Sequence, residues 1–205
     1  MASDRKNDFL ISSLFIAAQY LAACIAILLL SKRPVQEYAF IEYLTFYIAV
    51  FALPIFIFIR FYFKEKPLLW LHIHLKKIHV GIIAAAFIFV IFLASHKFHF
   101  TPQEYDTGFW LMLIGAWLAG LFEETAFRGF YLKVFMQKLG FTKANILVSF
   151  MFAALHFAKI PVSGFIEIPI LLVFSLFIGY LYKQTGSLLN TILVHAAYNT
   201  VMLLF

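Results

Sequence analysis

Residues 110–129 read WLMLIGAWLAGLFEETAFRG, an apolar stretch that leads into two adjacent glutamates, Glu123 and Glu124, and an arginine, Arg128. A charged side chain at the centre of a membrane helix costs roughly 2.5 kcal/mol or more on insertion scales. Such side chains therefore usually face the interior of a helix bundle or a hydrated cavity, where they are functional candidates. The stretch predicts a membrane helix that presents a polar site to the inside of the protein.

The composition of the whole chain predicts an integral membrane protein. Of its 205 residues 64% are hydrophobic and 13% are charged, and the mean hydropathy is +0.93. A soluble domain has about 25% charged and 45–50% apolar residues, so a soluble fold of this length could not bury so much apolar surface. The apolar runs are continuous rather than alternating, which favours helices over a transmembrane β-barrel. We predict an all-α fold, a polytopic transmembrane helical bundle of about seven helices that forms one domain over residues 1–205 within the lipid bilayer.

Seven apolar segments make up this predicted bundle. The second segment contains Pro54, which predicts a kink, and the fourth ends at Gly140, a residue type that often terminates a helix. Pro161 ends the fifth segment and Gly186 the sixth. The segments cover approximately residues 9–30, 41–63, 78–95, 107–139, 144–158, 167–183 and 187–205.

The basic residues are concentrated on one side of this topology. Eleven of the 16 Lys and Arg residues lie at the N-terminus or in connections on its side of the membrane, whereas Lys32, Arg33, Lys97 and Lys159 lie on the opposite side. Loops rich in Lys and Arg stay in the cytoplasm, so we predict a cytoplasmic N-terminus and, with seven spans, an external C-terminus. Because these residues cluster at segment ends, the net charge of +6 indicates membrane orientation, and no nucleic-acid partner is expected.

The two adjacent glutamates are expected to face different partners, because successive helical residues point about 100° apart. Glu124 and Arg128 are spaced i, i+4, in the order that favours an ion pair on one helix face. We predict that this pair supports the site structurally and that Glu123 faces the reaction centre.

Two later apolar segments each carry a histidine. His156 ends the sequence FAALH, and His195 begins the sequence HAAYN, whose last residue is Asn199. His195 and Asn199 share one helix face. Polar groups in contact with lipid would remain unsatisfied, so the bundle is expected to bury these polar faces together with Glu123. Each of these residues alone also has a structural explanation as a contact between helices.

A glutamate, two histidines and an asparagine in one pocket are suited to hydrolysis by an activated water molecule. The carboxylate can accept a proton from water, and a histidine can hold that water or share the proton. The second histidine and the amide are suitable donors to an oxyanion. No serine or cysteine lies beside a histidine in the apolar interior, which makes a covalent acyl-enzyme less attractive.

At these residues the chain resembles the CAAX-protease and bacteriocin-processing family of intramembrane proteases, also called CPBP or Abi. The family pattern is EExxxR, then FxxxH, then HxxxN or HxxxB, on successive membrane helices. The corresponding stretches here are EETAFR at 123–128, FAALH at 152–156 and HAAYN at 195–199. The resemblance implies a catalytic core over about residues 108–205, preceded by N-terminal helices over about residues 9–95.

The resemblance implies a role for each motif residue. Glu123 is expected to be the general base that activates water, and His156 is expected to help position that water. His195 and Asn199 would stabilise the tetrahedral oxyanion, while Glu124 and Arg128 would orient the site. The expected activity is that of a glutamic-type intramembrane endopeptidase acting on a membrane-embedded, membrane-surface or lipidated peptide.

Two alternatives remain open from the sequence. Zinc bound by Glu123, His156 and His195 would make the protein a zinc-dependent protease. No HExxH motif is present, and the candidate ligands come from separate helices, so no cofactor is favoured. The other alternative is a non-catalytic transporter or bacteriocin-immunity protein, although an internal repeat typical of many transporters is missing.

The compact chain resembles the bacterial or archaeal members of the family, so we expect it in the cell's inner or plasma membrane. His195 lies about eight residues into its segment, which corresponds to roughly 12 Å at 1.5 Å per residue. The site is therefore expected in the cytoplasmic half of the bilayer, in a hydrated cavity that receives the peptide.

Overall fold

The computed structural model describes residues 2–30, 39–95, 107–157 and 167–204, and these residues form helices joined by short connections. The predicted all-α bundle is confirmed. Some residues named above lie outside these ranges: Lys32, Arg33, Lys97, Lys159, Pro161 and the predicted segment ends at residues 158 and 205. The helices are α1 (Ala2–Leu30), α2 (Ala39–Tyr47), α3 (Leu53–Phe61), α4 (Pro67–Trp70), α5 (Ile78–Ser95), α6 (Thr107–Glu124), α7 (Leu132–Phe157), α8 (Glu167–Thr185) and α9 (Leu188–Leu204).

The length and apolar surface of these helices identify an integral membrane protein. Five helical stretches within the described ranges are long and apolar enough to cross a membrane, and the 17-residue α9 is shorter. The lipid-facing character is clearest in α5, where Gly81 is the buried residue while Ile83 and Phe87 are 66% and 64% exposed. The five stretches are Asp8–Leu29, Phe40–Phe61, Ile78–Ser95, Thr107–Phe157 and Glu167–Thr185.

The long stretch that contains the glutamates includes two of the predicted segments. Gly140 separates them, as predicted, because its φ of 69° and ψ of 170° interrupt the helical geometry inside α7. Glycine adopts a positive φ without the steric penalty that a Cβ atom would bring. The chain therefore bends at Gly140, and the second half of α7 returns towards the glutamates.

A wide π-helical turn over Ile48–Ala52 links α2 and α3. It lies directly before Pro54, which has no N–H, so the carbonyl of Val50 loses its ordinary i+4 donor. The Gln19 side-chain amide of α1 donates instead to the carbonyls of Val50 at 2.7 Å and Phe51 at 3.1 Å. The irregularity predicted at Pro54 therefore takes the form of a π turn stabilised from a neighbouring helix.

Close contacts between helices position α9 at the centre of the site. α9 packs against α5 and α6. At the α5 contact the backbone N–H of Gly81 donates to Asn190 Oδ1 at 2.9 Å, and a Cβ atom at Gly81 would lie 2.6 Å from that oxygen. At the α6 contact a Cβ atom at Gly120 would approach the backbone nitrogen of Ala196 to 3.3 Å. Small residues thus allow α9 to approach both neighbours closely, as is common between membrane helices.

Candidate active site

The two glutamates lie at the C-terminal end of α6, where a second π-helical turn over Thr125–Tyr131 begins. Both are buried, with Glu123 3% and Glu124 0% exposed. Glu123 bonds to Tyr47 and Glu124 to Arg128, as expected of side chains that point in different directions, while the two ring nitrogens of His195 face one glutamate each. π turns within longer helices are rare and frequently accompany functional sites.

Glu124 belongs to a buried ion-pair network. Its Oε1 accepts a hydrogen bond from Arg128 Nη1 at 2.9 Å and lies 2.8 Å from His195 Nδ1. The other guanidinium nitrogen, Arg128 Nη2, donates to the backbone carbonyl of Ser175 at 2.8 Å and to its hydroxyl at 2.6 Å. The predicted pair is therefore present, and it connects α6, α8 and α9. Ser175 was not predicted, because nothing in the sequence relates it to Arg128.

The contacts of the two histidines determine which ring nitrogen carries a proton. His195 Nδ1 faces the Glu124 carboxylate, which pairs with Arg128 and accepts hydrogen bonds. His156 Nδ1 lies 2.9 Å from the backbone carbonyl of Phe152, which also can only accept. Both Nδ1 atoms are therefore donors, and both Nε2 atoms point away from these partners.

The two Nε2 atoms converge on Glu123. His156 Nε2 lies 3.9 Å and His195 Nε2 lies 3.8 Å from Glu123 Oε2. These distances exceed the 2.7–3.2 Å of an ordinary N–H···O hydrogen bond and suit a bridging water molecule. The structure thus brings together the three groups that the motifs predicted on three separate segments.

An open cavity of about 200 Å³ adjoins this convergence point. It is large enough for several water molecules or for a short stretch of peptide backbone. Polar and apolar side chains from α2, α6, α7 and α9 surround it. Its lining comprises Tyr47, Ala116, Ala119, Glu123, His156, His195, Asn199, Met202 and Leu203.

Asn199 reaches the cavity from one turn beyond His195, as the HxxxN spacing predicted. Its Nδ2 donates one hydrogen bond to the backbone carbonyl of Ala116 on α6 at 3.0 Å. A side-chain amide has two N–H groups. The bond to Ala116 orients Asn199, and the second N–H can donate a hydrogen bond to a group in the cavity.

The aromatic ring of Phe152, four positions before His156, packs against both histidines of the site. Its ring centroid lies 4.7 Å from that of His156 and 5.6 Å from that of His195. The guanidinium carbon of Arg128 lies 5.2 Å from the same centroid, within the range of a cation–π contact. One ring therefore contacts the guanidinium and both imidazoles.

Tyr47 of α2 is a site residue that the sequence did not reveal. Its phenol donates to Glu123 Oε1 at 2.7 Å, and the residue is 2% exposed. No spacing rule relates α2 to α6, and a tyrosine in an apolar segment is usual near membrane interfaces. Only the three-dimensional packing places it beside the glutamate.

Metal binding was the other chemistry that these side chains allowed. No group of three His, Cys, Asp or Glu residues in the described part of the chain has an arrangement that could hold a metal ion. In the predicted ligand set, Glu123 Oε2 lies 3.9 Å from His156 Nε2 and 3.8 Å from His195 Nε2. Two zinc ligands in a tetrahedral site lie roughly 3.4 Å apart, which follows from bond lengths of 2.0–2.2 Å.

The C-terminal part of the chain matches a known protein family. Residues 105–201, just under half of the chain, match the family model described as type II CAAX prenyl endopeptidase Rce1-like. No curated protein and no solved structure matches the chain. The matched segment contains all three motifs and excludes Tyr47.

Proposed function

Residues 105–201 belong to the CAAX-protease and bacteriocin-processing family, and from this premise we propose that the chain is a glutamic-type intramembrane endopeptidase. The observation that carries the proposal is the convergence of Glu123 Oε2 with the Nε2 atoms of His156 and His195 beside an open cavity. The proposed substrate is a membrane-embedded, membrane-surface or lipidated peptide.

The proton positions support a specific way of activating water. In the neutral state His156 Nε2 is an acceptor, and the Glu123 carboxylate is an acceptor as well. A water molecule between them donates one hydrogen bond to each, so an oxygen lone pair remains for attack on the scissile carbonyl carbon. Glu123 takes a proton as the new C–O bond forms, and it later delivers that proton to the leaving amine.

The oxyanion that forms in this step requires hydrogen-bond donors. The second N–H of Asn199 is one donor. His195 can donate from Nε2 only when both of its ring nitrogens carry a proton, and the Glu124 carboxylate, 2.8 Å from Nδ1, stabilises that cation. Glu124 and Arg128 therefore have a structural role in the proposed mechanism, because they orient His195 and balance its charge.

The proposal predicts a change in the membrane peptides of the native cell. Deletion of the chain should cause uncleaved precursors to accumulate, and re-expression of the wild type should remove them, since hydrolysis by this site is then the missing step. Quantitative mass spectrometry of membrane fractions measures both changes. Identical peptide profiles with and without the chain would contradict an endopeptidase and favour a transporter or immunity protein.

Metal removal separates the proposed mechanism from the zinc-dependent alternative. The chain lacks an HExxH motif and its candidate ligands come from separate helices, which favours a reaction without metal. We expect protein purified without added zinc to contain far less than one metal ion per chain and to keep its activity after chelation. Elemental analysis combined with a peptide-cleavage assay tests this, and stoichiometric zinc with activity lost on chelation would favour the alternative.

The position of the cavity suggests the side from which peptides arrive. The cavity extends from Glu123 towards Met202 and Leu203 near the end of α9, whereas Lys183 lies near the opposite end of that helix. With a cytoplasmic N-terminus and seven spans, as predicted from the charge distribution and the apolar segments, the end of α9 would face outwards. We infer that substrates reach the deep site from the external side.

Cysteine accessibility tests this inference. Met202 is 51% exposed, and the single native cysteine, Cys24, can be replaced by serine to provide a background. In that background Met202→Cys should react with a membrane-impermeant maleimide added to intact cells. Labelling that appears only after the cells are opened would place the cavity mouth in the cytoplasm and favour cytoplasmic lipidated proteins as substrates.

A further inference from the structure

We propose that Tyr47 is a positioning residue that fixes the Glu123 carboxylate for water activation, an inference that rests on the proposed function. Tyr47 lies on α2, outside the family-matched segment 105–201. Its phenol donates to Glu123 Oε1 at 2.7 Å, and the two side chains are buried together. The N-terminal half of the chain therefore contributes directly to the site.

The hydrogen bond from Tyr47 makes the two carboxylate oxygens of Glu123 face different groups. Tyr47 binds Oε1, while Oε2 faces His156 Nε2 and His195 Nε2 at 3.9 and 3.8 Å. The terminal torsion of a glutamate is broad and has no strong intrinsic preference. A hydrogen bond to one oxygen therefore determines where the other oxygen points. Tyr47 keeps Oε2 directed at the place where the proposed water lies.

The Tyr47 ring is itself held by aromatic neighbours. It stacks against Phe51 and Phe122, with centroid separations of 5.6 and 6.2 Å, and meets Phe46 edge-on at 5.1 Å. Aromatic pairs in this distance range stabilise each other beyond their buried area. The phenol thus approaches Glu123 from a fixed direction.

The backbone beside Tyr47 is also fixed by hydrogen bonds. Tyr47 is the last residue of α2, next to the π turn whose Val50 and Phe51 carbonyls accept from Gln19. Gln19 Oε1 in turn accepts from the Tyr131 phenol at 3.1 Å, at the end of the second π turn. This chain of contacts joins the segment that carries Tyr47 to the segment that follows Glu124.

Infrared spectroscopy of Tyr47→Phe tests the inference without a substrate. The carboxylate band of Glu123 is assigned by its absence in Glu123→Gln. In Tyr47→Phe this band should shift in frequency from its wild-type position, because the carboxylate loses the hydrogen bond that the phenol donates. The matched control is Tyr20→Phe, which also loses a phenol, one that donates to the Met151 carbonyl at 2.8 Å away from the site. A Glu123 band at the same frequency in the wild type, Tyr47→Phe and Tyr20→Phe would overturn the inference.

Kinetics with an internally quenched, farnesylated CAAX peptide provide the second test. Misdirection of a catalytic group by about 1 Å can cost a hundredfold, so Tyr47→Phe should lower kcat by about ten- to a hundredfold, with KM nearly unchanged. Tyr20→Phe should keep the wild-type kcat and KM. An unchanged kcat in Tyr47→Phe would overturn the inference. Failure of the wild type to cleave any peptide would instead overturn the proposed function, and the infrared band would still decide whether Tyr47 binds the Glu123 carboxylate.

Discussion

Glu123→Gln is expected to lower the rate of peptide cleavage by about a thousandfold or more, because general acid–base catalysis typically contributes 10²–10⁴-fold. An amide cannot accept the proton of the attacking water at this position. The replacement keeps the size of the side chain and leaves an oxygen that can accept from Tyr47. Single-turnover cleavage by purified protein measures the loss.

Two controls make this result interpretable. The thermal transition of Glu123→Gln should resemble that of the wild type, which shows that the fold is retained. Glu65→Gln removes a carboxylate of the same type at an exposed position and should leave the rate unchanged. Cleavage by Glu123→Gln at the wild-type rate would refute the proposed mechanism. Full rescue of a deletion phenotype by this variant would point to a non-catalytic function.

Arg128→Met is expected to destabilise the folded protein by about 3–5 kcal/mol, the usual cost of removing one partner from a buried ion pair. The substitution preserves much of the side-chain volume but leaves Glu124, which is 0% exposed, without its cation. The hydrogen bonds to Ser175 would also be lost, so α6 and α8 would lose their polar connection. Denaturant unfolding in detergent micelles measures the effect.

The double variant Glu124→Gln/Arg128→Met provides the matched control. Because it removes both charges, it should recover a substantial part of the stability lost in Arg128→Met. Arg128→Lys should remain destabilised, since a single ammonium group cannot reproduce the planar guanidinium that contacts both Glu124 and Ser175. An Arg128→Met protein as stable as the wild type would contradict the structural role assigned to the pair.

The parts of the site that the sequence predicted are those encoded by local spacing. Three pairs of site residues are each four positions apart along a continuous helical segment. The pairs are Glu124 with Arg128, Phe152 with His156, and His195 with Asn199. Helical geometry alone determines which of these side chains share a face. The cost of polar groups in lipid then predicted that the three faces would meet.

The parts that the sequence did not predict depend on how the helices are arranged. Tyr47 and Ser175 contact the motif residues across sequence separations of 76 and 47 positions. Their helices carry no spacing signal that relates them to α6. The π turns were also missed, although Pro54 marked one of them, because a missing N–H predicts an irregularity without specifying its form.

A structure of the protein in a lipid environment, at a resolution that shows ordered water, would reveal whether Glu123 is placed to activate it. We expect a water molecule within about 3 Å of both Glu123 Oε2 and His156 Nε2, as hydrogen bonding requires. We also expect His195 Nε2 close to the same point. A Glu123 side chain turned towards the lipid, or separated from both histidines by other side chains, would rule out water activation at this site.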